Sequence, residues 1–216
     1  MRHKRWVVLL AVVGFVIAAA FTTAAFSKHG SAHAAESDDS PLLAPSTTLR
    51  PPPTRATTTT FDVRSLPRPQ PPPADPYAPS PIIQIGAIEI PKIQLLHPIF
   101  EGITLTVIDH GPGHWPGSAM PCQRGNSVFP GHRVTHTHPF LNIDQLSPGD
   151  KIIFHMPTEV CVYKVTGTQI VDPNALWVTD PTAQPTVTLI ACHPKHSAAQ
   201  RIVVKGVLVS RTPVKS

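Results

Sequence analysis

The run Thr188-Leu189-Ile190-Ala191-Cys192-His193-Pro194 ends an apolar stretch on a thiol, and Arg201 follows nine residues after the cysteine. Upstream, Gly125-Asn126-Ser127-Val128-Phe129-Pro130-Gly131-His132-Arg133 ends a second apolar stretch on an imidazole. A thiolate is the reactive form of cysteine, and a neighbouring cation favours it. A histidine can protonate a departing amine, and a guanidinium can hold a carbonyl oxygen or the oxyanion of a tetrahedral intermediate. Together the three groups suit acyl transfer through a thioester. Resolution by an amine would make the enzyme a transpeptidase, and resolution by water a protease.

These groups need elements that bring them together. In 186–192, a period of two places Val187, Leu189 and Ala191 on one face and Thr188, Ile190 and Cys192 on the other. In 201–207, Arg201, Val203, Lys205 and Val207 share a face. A hairpin closed by the loop 193–200 would set Cys192 and Arg201 side by side, although periodicity does not determine the register.

Strand-like patterns begin at Ile82 and recur at 87–90, 103–108, 127–129, 151–155, 160–166, 187–191 and 202–209. Turn signals such as Gly111-Pro112-Gly113, Pro116-Gly117 and Ser147-Pro148-Gly149-Asp150 separate them. Outside the N-terminal apolar run, only 140–146 suggests a helical turn or two. Short strands at this spacing predict an all-β, closed or nearly closed barrel.

The remainder of the chain has a different composition. Residues 6–26 are almost wholly apolar and follow Arg2, Lys4 and Arg5, which predicts a transmembrane anchor with a cytoplasmic N-terminus and the rest outside. A cleaved signal peptide is the competing reading, since Ala32-His33-Ala34 resembles a cleavage site. The chain has 27 prolines, and they crowd between Pro41 and Pro81. With few large apolar residues, 28–80 is expected to be a disordered stalk. At ~3.1 Å per residue, about forty of its residues would reach on the order of 100 Å. The expected organisation is therefore an anchor at 1–27, a linker at 28–80 and a catalytic domain at 81–212. The net charge of +5 is scattered, with no basic stripe interleaved with aromatics, which argues against a nucleic-acid partner.

Several ordered motifs make the chain resemble the sortases, and among them the class E group. They are Ile88-Glu89-Ile90-Pro91-Lys92, Gly111-Pro112-Gly113-His114, Gly125-Asn126-Ser127-Val128 with Gly131-His132-Arg133, and Pro139-Phe140 with Ile143-Asp144-Gln145-Leu146 and Gly149-Asp150. The last is the Cys192 run leading to Arg201. The resemblance implies an eight-stranded sortase barrel with Cys192, His132 and Arg201 as the catalytic set. It also implies cleavage of an LPXTG or LAXTG sorting signal after threonine, and transfer to an amine of a cell-wall precursor or a pilin. Candidate substrate-binding residues are His136, Thr188, Ile190 and His193. Where many class E members carry tyrosine in the stretch after the catalytic histidine, this chain has His136, and Pro121-Cys122 stands where the pattern has glycine.

The remaining features leave alternatives. Three cysteines outside an anchor permit a Cys122–Cys161 disulfide that leaves Cys192 free, provided the two approach each other. The histidines His110, His114, His132, His136 and His138 follow no common ligand spacing, and Glu89, Glu101 and Asp109 are scattered, so neither a metal nor a cofactor is expected. Asp75-Pro76-Tyr77 resembles the lid motif of pilin-building sortases, set here in a proline-rich stretch. Two rival functions are an L,D-transpeptidase, whose nucleophile normally follows Ser-His-Gly, and an inactive sortase-like module that only binds surface proteins.

Overall fold

Alternating burial along the strands builds the molecule. A computed structural model describes residues 61–214. Its strands are β1 (Gln84–Ile90), β2 (Leu95–Glu101), β3 (Gly113–His114), β4 (Asn126–Pro130), β5 (Lys151–His155), β6 (Glu159–Val171), β7 (Thr186–His193) and β8 (Gln200–Pro213). In β6, Cys161, Tyr163 and Val165 point inward while Lys164 and Thr166 face solvent, the pattern of a sheet with one wet face.

The strand order is β3-β2-β1-β5-β6-β8-β7-β4. The β4/β7 and β2/β3 pairs are parallel and the others antiparallel. The two ends of the sheet approach each other: the Trp115 N–H, just beyond β3, donates to the Val128 carbonyl of β4 at 2.9 Å. The result is an all-β, eight-stranded, nearly closed barrel filled by Ile88, Ile99, Phe129, Phe140, Phe154, Tyr163, Leu189 and Ile202.

Cys122 and Cys161 are joined across this core, with Cα atoms 5.6 Å apart, and Cys192 is a free thiol. The Cys122 N–H donates to the Tyr163 hydroxyl at 2.8 Å. Burial pushes the Tyr163 phenol above its ordinary pKa, so it stays neutral and its oxygen remains an acceptor for that N–H.

Three expectations change. The run 103–108 is no strand; it contains a four-residue helix, α1 (Leu105–Ile108), with Val107 and Ile108 buried. Gly102, at φ +106°, turns the chain out of β2, and the Leu105 N–H is satisfied by the Pro76 carbonyl at 2.7 Å. Tertiary contact overrides the strand preference of these β-branched residues. Conversely, β2 went unread because Pro98 interrupts it. Proline is tolerated there because β3 pairs only with Phe100 and Glu101, leaving one side of Pro98 without a partner strand.

The third change concerns the linker. Its last twenty residues, 61–80, do not form a free stalk but lie along the barrel. The Trp115 indole N–H donates to the Gln70 carbonyl at 2.8 Å, and the Gln70 N–H donates to the Pro116 carbonyl at 2.8 Å. Thr106 donates its hydroxyl to the Ala78 carbonyl. A Cβ on Gly117 would sit 2.4 Å from the Arg68 carbonyl oxygen, so only glycine allows this close approach. Proline, with φ already restricted and no N–H to satisfy, lowers the entropy cost of laying such a segment down. The anchor expected at 6–26 and the linker before residue 61 lie outside the described residues. Among the described residues, no helix is long and apolar enough to cross a membrane.

Candidate active site

Strand pairing alone sets the first two groups. In the antiparallel β7/β8 pair, Cys192 lies directly opposite Arg201, Ile190 opposite Val203 and Thr188 opposite Lys205. Directly opposed residues project from the same face, so the thiol and the guanidinium occupy one rung at the rim of the barrel.

His132 arrives by a different route. In the parallel β4/β7 pair Pro130 lies beside Ile190, and the Gly131 N–H donates to the Ile190 carbonyl at 3.0 Å. Each chain then runs two residues further in the same direction, to His132 and to Cys192. A Cβ on Gly131 would meet the Phe140 ring at 2.8 Å, so glycine lets the turn close over the core. His132 and Cys192 line one hollow together with Arg133, Val134, Thr135, His196, Ser197 and Ala198.

The residues holding this site are largely ones that chain spacing did not reveal. The Nε2 atom of His132 is 2.7 Å from Asp109 Oδ1, at the end of α1. Because a carboxylate only accepts, Nε2 carries the hydrogen. His136 Nδ1 is 3.3 Å from the same oxygen, and its ring stacks on His132 with centroids 4.7 Å apart. Arg133, only 2% exposed, donates from Nη1 to His193 Nδ1 at 2.9 Å and to the Cys192 carbonyl at 3.3 Å. Its Nη2 contacts Asp144 at 3.0 Å. This buried guanidinium ties the end of β7 to the 143–145 turn, which fixes the backbone that carries the thiol. Arg133 and Asp144 both belong to the motifs in the sequence, but the motifs gave no sign that they touch. Asp109 had no sequence signal.

Arg201 donates to the Ala198 and Gln200 carbonyls at 2.9 and 3.0 Å. It borders a second hollow of about 270 Å³ that is mainly apolar. Ile190, Val203, Trp115, Val178 and Leu176 line it, and Pro72, Pro73 and Pro76 from the laid-down segment contribute to its wall.

The candidate binding residues therefore separate. Ile190 faces the apolar groove, His136 sits on His132, and His193 is held by Arg133. Thr188 is 1% exposed and its hydroxyl donates to Asn126 Oδ1 at 2.8 Å, which braces β7 against β4.

A sequence model of the sortase domain family matches residues 88–209, which contain all three candidate catalytic residues. The chain belongs to the sortase family. Sortase SrtE1 of Streptomyces coelicolor is 33% identical over 142 residues, 58% of this chain and 40% of that protein. Sortase D of Bacillus subtilis is 34% identical over 89 residues, 41% of this chain and 43% of that protein. The chain thus spans less than half the length of these two relatives. Among solved structures, the crystal structure of sortase E1 from Streptomyces coelicolor with a tripeptide in the active site is similar, with a TM-score of 0.58 at 29% identity. That match covers 61% of this chain and 91% of the other. Within the sortases this chain is class E-like, and its barrel is the sortase fold.

Proposed function

We propose that this sortase is a membrane-anchored, extracellular cysteine transpeptidase that joins surface proteins bearing an LPXTG- or LAXTG-type sorting signal to an amine of the cell wall or of a pilin. The observation that carries the reading is the Cys192–Arg201 rung, with His132 delivered to the same rim by the parallel β4/β7 pair.

The Cys192 thiolate attacks the carbonyl carbon of the signal's threonine. Arg201, across the rung, donates to the oxyanion that develops on the carbonyl oxygen. Collapse of the tetrahedral intermediate breaks the C–N bond, and protonated His132 gives its proton to the departing amine. A thioester on Cys192 remains. The incoming amine attacks it, loses its proton to His132 and expels the thiolate, which restores the starting state. Asp109 and His136 hold the His132 ring, and Arg133 holds the backbone of Cys192. The apolar groove beside Arg201 suits the apolar part of the signal, with Ile190 on its wall.

The test is a panel of LPXTG and LAXTG peptides supplied with an amine. Cleavage after threonine and a mass adduct on Cys192 are expected. Neither cleavage nor adduct with any peptide would leave only the binding-module reading. Membrane attachment through residues 6–26 is checked by fractionation of the full chain against one lacking residues 1–27.

A further inference from the structure

We propose that Asp109, His132 and His136 form a binding site for a divalent transition-metal cation of the zinc type, and that occupying it withdraws His132 from proton transfer. The inhibitory consequence rests on the function proposed above. The site itself does not.

Two separate parts of the chain contribute. Asp109 ends α1, where its N–H donates to the Leu105 carbonyl at 2.9 Å. His132 follows β4, and His136 lies in the next turn with φ at +51°, so the two histidines are not on a helix despite their separation of four residues. The ligand atoms of all three residues lie within 4.8 Å of one another. Two of these separations, from Asp109 Oδ1 to His132 Nε2 and to His136 Nδ1, are 2.7 and 3.3 Å. Zinc bonds of ~2.0–2.1 Å in a tetrahedron place neighbouring ligand atoms about 3.3 Å apart, so the cluster needs only a slight opening to receive an ion.

The chemistry of the donors narrows the choice of ion. Two imidazoles and one carboxylate suit zinc, copper or nickel, whereas calcium and magnesium select oxygen donors. His132 Nε2 directs its hydrogen at Asp109 Oδ1, and His136 Nδ1 lies 3.3 Å from the same oxygen. A cation at His132 Nε2 takes the place of that hydrogen, which moves to Nδ1 in a neutral imidazole and is released as a proton from an imidazolium. The side chains of Asp109, His132 and His136 are 31%, 17% and 50% exposed, so the site opens to solvent. A fourth position can take water or the thiolate of Cys192, which lines the same hollow as His132. Among the described residues a second cluster of this kind, Cys122, Glu159 and Cys161, offers no thiolate because its cysteines are bonded to each other.

Sequence spacing gave no reason to expect a metal because the histidines match no linear ligand pattern. The site depends on Asp109, 23 residues before His132, and on the stacking of the two rings.

The test uses the full, untagged chain in detergent, stripped with a chelator and titrated with cobalt(II) as a coloured stand-in for zinc. The expected result is saturable binding with visible bands, weakened roughly tenfold or more in both His136→Ala and Asp109→Asn. Cys192→Ala should still bind, and loss of a near-ultraviolet sulfur band in that variant would identify the fourth ligand. In the peptide assay, zinc should inhibit the stripped enzyme reversibly. His136→Ala should require roughly tenfold more zinc for half-inhibition relative to its own zinc-free rate. Absence of saturable cobalt binding overturns the proposal, as does binding that survives both ligand substitutions or is lost in Cys192→Ala alone. A stripped chain that binds cobalt but cleaves no peptide retains the site and rejects the function. One that cleaves peptide but binds no cobalt does the reverse.

Discussion

Two hollows flank the Cys192–Arg201 rung, and they differ in the side chains that line them. On the Arg201 side the groove is apolar and is built from β7, β8 and neighbouring loops, with prolines of the N-terminal segment along its wall. On the Cys192 side the hollow is lined by His132, Arg133, Thr135, His196 and Ser197 and is backed by Asp109 and Asp144. One side has surface to bury and few charges. The other is lined by imidazole, guanidinium and hydroxyl side chains, several of them held in fixed hydrogen bonds. This contrast separates recognition from proton chemistry: an apolar groove gains affinity by excluding water, while an acid–base group must keep its polar contacts oriented.

The largest effect should come at the rung itself. Cys192→Ala is expected to abolish turnover and the mass adduct, a loss of about 10³-fold or more, while circular dichroism and the melting temperature stay near wild type. Residual turnover would remove the thiol from the chemistry and end the contrast. Arg201→Ala is expected to lower kcat by roughly 10²–10³-fold with a small change in peptide affinity, as for loss of one oxyanion donor. If KM carried most of the effect instead, Arg201 would belong to the recognition side.

A control away from both hollows sharpens the comparison. Replacing Cys122 and Cys161 together by serine opens a cross-link between residues 39 apart and should cost about 2–4 kcal/mol of stability, read by denaturant titration. Below the unfolding transition kcat and KM should be unchanged. The smallest effect is expected in the groove. Leu176→Ser, at a partly exposed wall position, should raise KM about three- to tenfold and leave kcat nearly unchanged, since removing one apolar contact is worth ~1 kcal/mol. A fall in kcat of the same size would mean that the groove positions the reacting carbonyl as well as binding its neighbours.

Particular residues show where sequence reasoning succeeded. The Cys192–Arg201 pair was legible because strand periodicity is local: once 186–192 and 201–207 are strands joined by a short loop, only the register is missing. Pairing against β8 supplied it. The strands carrying Tyr163 and Phe154 were readable from alternation for the same reason. The strand β2 was hidden by Pro98, whose open side depends on the length of its neighbour β3. The helix α1 carries a strand-like sequence because its β-branched residues favour strands until Gly102 and Pro76 intervene.

Residue types and their order along the chain already specify the thiol, the imidazole, the guanidinium and the motifs that place the chain among the sortases. Each of these depends on residue type and on separations along one or two neighbouring strands, and such information survives in one dimension. Folding in three dimensions is what brings Asp109 to His132 and His136, sets Arg133 against the backbone of Cys192 and lays a proline-rich segment on the barrel. Those contacts join parts of the chain with no periodic relation, and nothing local in either partner encodes the other. They arise from the closing of the sheet, which brings distant loops to one rim.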